Sequence, residues 1–580
     1  MQVNLKYCYK QPIYILVFTF CLITNLTHAQ QFNWAKQVGQ ISFDEGYTIA
    51  LDNDNCVYTA GYFSTTVDFD PGAGIYNLYP TNQGGNEAYV LKLDSAGNFK
   101  MAFSFGGYGN DEVRSIKVDQ SKNIYVTGTY QDTADFDPSL STYNLTPSGN
   151  ESVFVAKYDS TGALLWAKSI AASYHVYASA MDIDQAGSVY VTGNFLDTVD
   201  FDPGPNIYQL TTNSMYDAYV LKLNTNGDFC WAYDIGQTTL DLGYDIEADN
   251  FGAVYTVGTF RNSVDFNPGA GNYILTSAGS DDVFILKLDT AGSFIWAKAF
   301  GGPSTDYGRG ISVDDNGNII TTGSFLSTAD FNPGPGVFNI TQSGNAGEDI
   351  FISKLDSAGN FIWAKQFGGV GAGFGAGIAT DLVGNVYATG HFDGVTDFNC
   401  GAGVLNFTQI GLSGADIYIV KLDAQGNFLW AKQVGGTTYD YGYEIAPDAF
   451  GNVYYTGFFE GTVDFNPNTG IYNLISGGAH DIFVSKLGGT LTANHEIAVK
   501  NTISAYPNPV SDILSINIAS IDNADCYFSL VDTQGQLVYQ SFNKDTNVTS
   551  IDVKNIPEGL YILSIASTKW RSNLKLAIFH

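Results

Sequence analysis

Basic residues and cysteines are scarce in this 580-residue chain, and long apolar runs are nearly absent. Lys and Arg number 26 against 58 Asp and Glu, a formal net charge of −32 at pH 7. A chain this acidic repels phosphate backbones and anionic bilayers, which excludes nucleic acid and membrane surfaces as expected partners. Of the six cysteines, Cys8 and Cys21 fall in the first 29 residues, and Cys56, Cys230, Cys400 and Cys526 are scattered. That scatter excludes a disulfide framework, and no CxxC or Cys/His cluster builds a zinc site. A chain this long buries enough apolar surface without cross-links. No segment has helical periodicity, which excludes an α or α/β class.

The single apolar run, Ile13 to Ile23, is shorter than the ~20 residues that span a bilayer. Lys6 and Lys10 precede it, and Thr27-His28-Ala29 follows with small residues three and one before a cut. Residues 1–29 therefore read as a signal peptide, and the exported chain is expected to be soluble and monomeric.

What the sequence has in abundance is repetition. Asp-Phe-(Asp/Asn)-Pro recurs with its first Asp at Asp68, Asp135, Asp200, Asp265, Asp330, Asp397 and Asp464, Cys400 standing for the Pro in the sixth copy. Trp-Ala-Lys or a variant begins at Trp34, Met101, Trp166, Trp231, Trp296, Trp363 and Trp430. A third anchor, an apolar run closing on lysine, places Lys92, Lys157, Lys222, Lys287, Lys354, Lys421 and Lys486 at the same period. The fourth is an Asp-turn-strand unit, as in Asp314 to Phe325. A fixed period of this length marks stacked supersecondary units.

Each unit reads as four short strands, in the first copy Tyr47 to Asp52, Val57 to Phe63, Ala88 to Asp94 and Phe99 to Phe105. The Asp- and Gly-bearing turns between the first and second and between the third and fourth make tight hairpins. The nearly all-apolar third strand fits a sheet covered on both faces. The seventh copy ends at Val484-Ser485-Lys486-Leu487 without its Trp-Ala-Lys strand, whereas Phe32 to Val38 opens the array with one to spare. Pairing the two closes a ring, which removes the unpaired edge. The fold class predicted is all-β: a seven-bladed β-propeller of four-stranded blades over residues 30–488, a linker over 489–502, and a small Ig-like β-sandwich over 503–580.

Asp-x-x-Gly-Asn-Val-Tyr-x-Thr-Gly-x-Phe followed by Asp-Ile-Phe-Val-x-Lys-Leu-Asp-x-x-Gly-Asn resembles the bacterial SBBP-type β-propeller repeat. That resemblance implies architecture and no single activity. Near the C-terminus, Tyr506-Pro507-Asn508-Pro509, then Asp532 to Tyr539, then Gly559, Tyr561 and a terminal strand with Lys575, resembles the type A sorting domain of type IX secretion. The resemblance implies a partner in that secretion machinery and delivery across the outer membrane to the surface or the medium.

Chemistry is harder to find. The seven Asp of the Asp-Phe-(Asp/Asn)-Pro units, several followed two residues on by Asp or Asn, could bind calcium through oxygen ligands, but the spacing is that of turn caps rather than of a calcium loop, so no cofactor is expected. The recurring Trp and Lys read as structural: Trp fills the space between outer strands, and Lys lays its stem over apolar surface and meets a repeat carboxylate. His175, His391 and His480 do not recur, and no nucleophile elbow or phosphate loop is present. The innermost strand offers one break in symmetry. Where other blades have Ala50, Ser312, Ala379 or Ala446, three successive blades have Lys117, Asp182 and Glu247. These three are either a compensated plug or an acid and base at the channel. The long loops between second and third strands emerge on the same face as the inter-blade loops, and that face is the expected binding surface. The function expected is an exported binding or adhesion scaffold for a glycan or protein ligand. The alternative is an extracellular polysaccharide hydrolase or lyase using Lys117, Asp182 and Glu247.

Overall fold

The structure, a computed structural model, describes residues 30–488 and 503–579 apart from 83, 213–214, 238, 250–251, 268–270, 345–346, 508–509, 519–525, 533–536, 544–547 and 568–570. The signal-peptide and linker readings, 1–29 and 489–502, lie outside the described residues.

Seven antiparallel sheets of four strands follow one another along the chain. In the first blade the strands are Glu45–Leu51, Val57–Phe63, Glu87–Leu93 and Phe99–Gly107, from the inside outward. Val57–Phe63 is buried along its whole length. A largely apolar run, here interrupted by the buried Thr59, is what a strand needs when blades cover both faces of its sheet. Each inner strand packs beside the next, and the last, Tyr441–Pro447, packs beside the first. The outer strand of the seventh blade is Gln31–Val38, which pairs antiparallel with Asp481–Gly488 and sets Trp34 opposite Lys486.

The repeated residues hold blade to blade. Lys92 lies 4.6 Å over the Tyr58 ring and 3.3 Å from Asp52 of the first tight turn. The same seat recurs under Lys157, Lys222, Lys287, Lys421 and Lys486. In the fifth blade Ile320 replaces the tyrosine, and Lys354 instead pairs with Asp314 at 2.8 Å, both side chains buried. Beyond its own blade, Lys222 donates to the Thr290 carbonyl in the next blade at 2.9 Å, and Trp231 donates to that oxygen at 3.2 Å. Gly292 in that turn has φ +80°, and a Cβ there would lie 2.7 Å from the Trp231 ring. Glycine is required on both counts.

The long loops start on the face of the inter-blade connections but fold back over the outer strand. Val67–Asp68 pairs with Asn77–Leu78, and Asp68 Oδ1 accepts the N–H groups of Asp70 at 3.0 Å and Tyr76 at 2.7 Å. Phe69, buried, meets Tyr89 at 5.0 Å, while Tyr76 meets Phe99 of the outer strand at 4.9 Å. This hairpin seals the rim, and the returning half of the loop, through Asn82 and Asn86, borders the short inter-blade loop on the open face.

The C-terminal segment forms two sheets. One holds Ile503–Tyr506, Ile513–Ile518 and Val548–Asp552; the other holds Leu537–Asn543, Cys526–Asp532, Gly559–Ser567 and Arg571–Ile578. Leu514, Ile516 and Ile551 from the first sheet share a core with Phe528, Leu530, Leu563 and Leu576 from the second.

Candidate functional site

The inner strands line a cavity of about 510 Å³ at the centre of the ring, reaching down to the tight turns at Asp314, Asp315 and Asp381. Alternate residues of a strand share a face, so the residues before and after the central Ile or Met of each inner strand both look inward. Lys117, Asp182 and Glu247 stand there together, joined by Asp245 and Glu444. Lys117 Nζ lies 3.7 Å from Asp182 Oδ1 and is the only cation in the lining among the described residues.

These carboxylates are also clamps. Asp182 Oδ2 accepts the Ala248 N–H of the next blade at 2.8 Å. Asp245 Oδ2 accepts from Ile311 at 2.8 Å, and Glu444 Oε2 accepts from Ile49 across the ring closure at 2.7 Å. Inner strands splay too far to bond one another directly, and side chains bridge the gap. Burial pushes Asp245 up to about 7, while burial together with Asp182 pushes Glu247 up. Glu444 is raised by burial, against the pull of Lys117. Burial opposes the Lys117 charge, but Asp182, Glu444, Glu247 and Asp245 outweigh it and hold its pKa above the ordinary lysine range.

Higher in the channel the inner strands carry Tyr47, Arg114, Tyr244, Arg309 and Tyr443. Arg114 bonds Glu112 at 2.5 Å and lies 4.2 Å over the Tyr47 ring. Arg309 sits between Tyr244 at 5.3 Å and Tyr307 at 5.0 Å. A run of stacked rings crosses the sixth and seventh blades: Phe374 to His391 at 4.9 Å, His391 to Tyr441 at 3.7 Å, and Phe458 to His480 at 3.8 Å. Burial drives His391 down to about 3, so it stays neutral. His480 Nδ1 meets Glu45 Oε1 at 2.8 Å across the closing junction.

The surrounding face is asymmetric. Four consecutive inter-blade loops each expose one aromatic ring: Tyr439 at 49%, Phe43 at 51%, Tyr108 at 71% and Tyr174 at 48%. The other three loops have none, presenting Gln237, Pro303 and Val370 instead.

The structure therefore brings together all three channel residues expected from the sequence. Asp245 and Glu444 were missed, although both break a position held elsewhere by Thr48, Ser115, Ala180, Gly310 and Gly377. It does not bring together Asp68, Asp135, Asp200, Asp265, Asp330, Asp397 and Asp464. Each caps its own rim hairpin through one oxygen that takes two backbone N–H groups, as Asp330 does from Asn332 at 3.0 Å and Phe338 at 2.8 Å. Of the sorting motif, Tyr506 is exposed, Tyr561 is buried and donates to the Pro557 carbonyl at 2.6 Å, and Lys575 pairs with Ile562 along the backbone from Gly559 to Ile578. Pro507 follows on the exposed edge; Asn508 and Pro509 lie outside the described residues.

Residues 504–578 match the secretion system C-terminal sorting domain, and residues 295–324, 362–399 and 429–457 match the SBBP β-propeller repeat. An uncharacterised WD repeat-containing protein, L264, of Acanthamoeba polyphaga mimivirus is 26% identical over 78% of this chain and 38% of its own length. The regulatory protein FlaEY of Caulobacter vibrioides is 24% identical over 20% of this chain and 12% of its own. The chain thus spans well under half the length of these curated relatives. Among solved structures, a chain of the mitotic checkpoint complex aligns over 84% of this chain and 98% of its own with a TM-score of 0.37 and 8% identity. A protein of unknown function from Bacteroides caccae aligns over 58% and 94% with a TM-score of 0.28 and 7% identity.

Proposed function

We propose that this chain, a propeller of SBBP-type repeats exported across the outer membrane by type IX secretion, is a binding scaffold that presents its inter-blade face to an extracellular ligand, glycan or protein. One observation carries the reading. The residues that repeat are consumed in holding blades together, whereas the residues that differ from blade to blade gather on the inter-blade loops and the inner strands beneath them. A rigid ring with variable loops on one side is the usual arrangement of a recognition surface. The closed ring supplies preorganisation, so little ordering entropy is lost on binding.

The test is a screen of the purified exported chain against immobilised glycans and extracellular proteins. Saturable binding to either class is expected, and silence across both would overturn the scaffold reading. A hydrolase or lyase would rest on Lys117, Asp182 and Glu247, where one carboxyl is held protonated beside another that pairs with lysine, an arrangement suited to acid and base roles. Turnover of a polysaccharide by the wild type that disappears in a Lys117→Met, Asp182→Asn, Glu247→Gln triple variant would replace the scaffold reading with that one.

A further inference from the structure

We infer that half of the inter-blade face is a platform for an uncharged glycan, with the rings of Tyr439, Phe43, Tyr108 and Tyr174 as its stacking surfaces. The inference rests on the scaffold reading and narrows its ligand. Single exposed rings are ordinary on protein surfaces. Four on four consecutive junctions, with none on the other three, is a pattern the fold does not need: the Gln237, Pro303 and Val370 loops make the same connection without an exposed ring.

The setting of the rings selects the ligand. Each stands on its own loop: Tyr439 and Phe43 are linked beneath the surface through Tyr441, Phe458 and His480, and Tyr174 rests on His175, so the rings form a string of separate faces rather than the broad core of a standard protein interface. Amides crowd around Tyr108: Asn82 Nδ2 donates to its carbonyl at 2.9 Å, Asn86 donates to Asn110 Oδ1 at 3.1 Å, and Asn86 Nδ2 donates to Glu112 at 2.7 Å. Ring faces alternating with amides and carbonyls match a pyranose, which offers an apolar C–H face bordered by hydroxyls that both donate and accept. Charge decides between sugars. The chain is strongly acidic, and Arg114, the cation on the concave side of the arc, is already committed to Glu112 and the Tyr47 ring. Arg309, on the fifth blade, is held between Tyr244 and Tyr307 away from the four ring-bearing loops, so an acidic polysaccharide on the arc would meet repulsion with no cation beside the rings among the described residues to offset it; a neutral one would not.

Calorimetric titration of the exported chain with neutral polysaccharides (laminarin, mannan, xylan, galactan) and acidic ones (alginate, polygalacturonate) tests this. At least one neutral glycan should bind, and acidic ones should bind more weakly or not at all. Tyr108→Ala and Tyr174→Ala should each weaken binding about tenfold, with unchanged thermal melting because both rings are exposed, while Val370→Ala on the opposite half should bind as wild type. Preference for the acidic polymers, or wild-type affinity in the Tyr108→Ala/Tyr174→Ala double variant, overturns the platform. Binding to proteins alone would overturn the glycan assignment and leave the scaffold reading standing; binding to neither would overturn both.

Discussion

Trp34 faces Lys486 across the sheet of the seventh blade, and both donate to a single oxygen of the first blade, the Ser95 carbonyl, at 3.2 Å from the indole and 3.0 Å from the ammonium. The same fastening joins the third blade to the fourth, where the chain is continuous. At the closure, however, Trp34 rides on a strand tied to its blade not by continuous chain but by the backbone ladder, packing and side-chain bonds such as Gln37 Nε2 to Asp481. Trp34→Ala should therefore cost about 2–4 kcal/mol, from lost ring burial and the loss of one of the two hydrogen bonds to the Ser95 carbonyl. Deleting 31–38 should lower the melting temperature further and expose the backbone of Asp481–Gly488 to hydrogen exchange. An unchanged melting temperature in the deletion would show that the closure contributes nothing to the ring.

A second fastening makes stability depend on pH. At five junctions a carboxyl that caps the inter-blade loop is packed near one that opens the preceding third strand: Asp44 with Asp481, Asp111 with Glu87, Asp241 with Asp217, Asp306 with Asp282, and Asp440 with Asp416. Burial above all raises them, Asp44, Asp282 and Asp416 to about 6, Asp111, Asp241 and Asp306 to about 7, and Asp217 and Asp440 to about 8. The folded state then binds more protons than the unfolded chain, whose carboxyls titrate near pH 4. These carboxyls stabilise the fold most below about pH 4, and that contribution is lost as pH climbs from there through the folded values of 6 to 8. Melting should be higher at pH 5 than at pH 8.5. Asp282→Asn keeps the acceptor for the Ala278 N–H and removes the charge, so it should stabilise by about 1 kcal/mol at pH 8.5, by less at pH 5, and not at all below about pH 4.

The ring was legible because every anchor answers a local demand that recurs once per blade: Asp caps a turn, Gly makes room for an indole, and Lys needs a ring and a carboxylate. The rim hairpins were not. Their pairing is set by one Asp oxygen reaching a backbone N–H eight residues on, and neither partner strand has the alternation that announces a strand. The same weakness hid Ile503–Tyr506 and Val548–Asp552, short segments with few apolar residues. In the channel, Lys117, Asp182 and Glu247 were visible as charges replacing small residues. Asp245 and Glu444 sit two residues earlier on the same inward face, and only the next blade's N–H groups reveal what they do.

Lys117 is the counter-charge for that inward face, and its removal should be felt most where the carboxyls are ionised. Lys117→Met leaves Asp182, Asp245, Glu247 and Glu444 facing one another across the cavity, at a cost of about 2–4 kcal/mol at pH 8. The raised lysine pKa means its stabilisation is fully present throughout the neutral range and is lost only above the ordinary lysine value. In the variant the carboxyls take up protons more readily, so the deficit should shrink towards pH 5. Melting curves at the two pH values decide it; an equal loss at both would mean that Lys117 contributes packing and not charge.

The rim aspartates give a test that separates turn from metal. Asp330 Oδ1 takes two N–H groups and Phe331 behind it is buried, so the side chain itself caps the turn. Asp330→Ala should cost about 1–2 kcal/mol, whereas Asp330→Asn, which keeps the acceptor oxygen, should cost a few tenths at most. Those costs should be the same with calcium or with chelator, because a cap needs an oxygen and not a charge. A calcium site reverses the outcome: chelation would lower the wild-type melting temperature, and Asp330→Asn would abolish that sensitivity in its blade, since a neutral amide is a poorer ligand than a carboxylate. Scanning calorimetry of the three chains with and without calcium distinguishes the two.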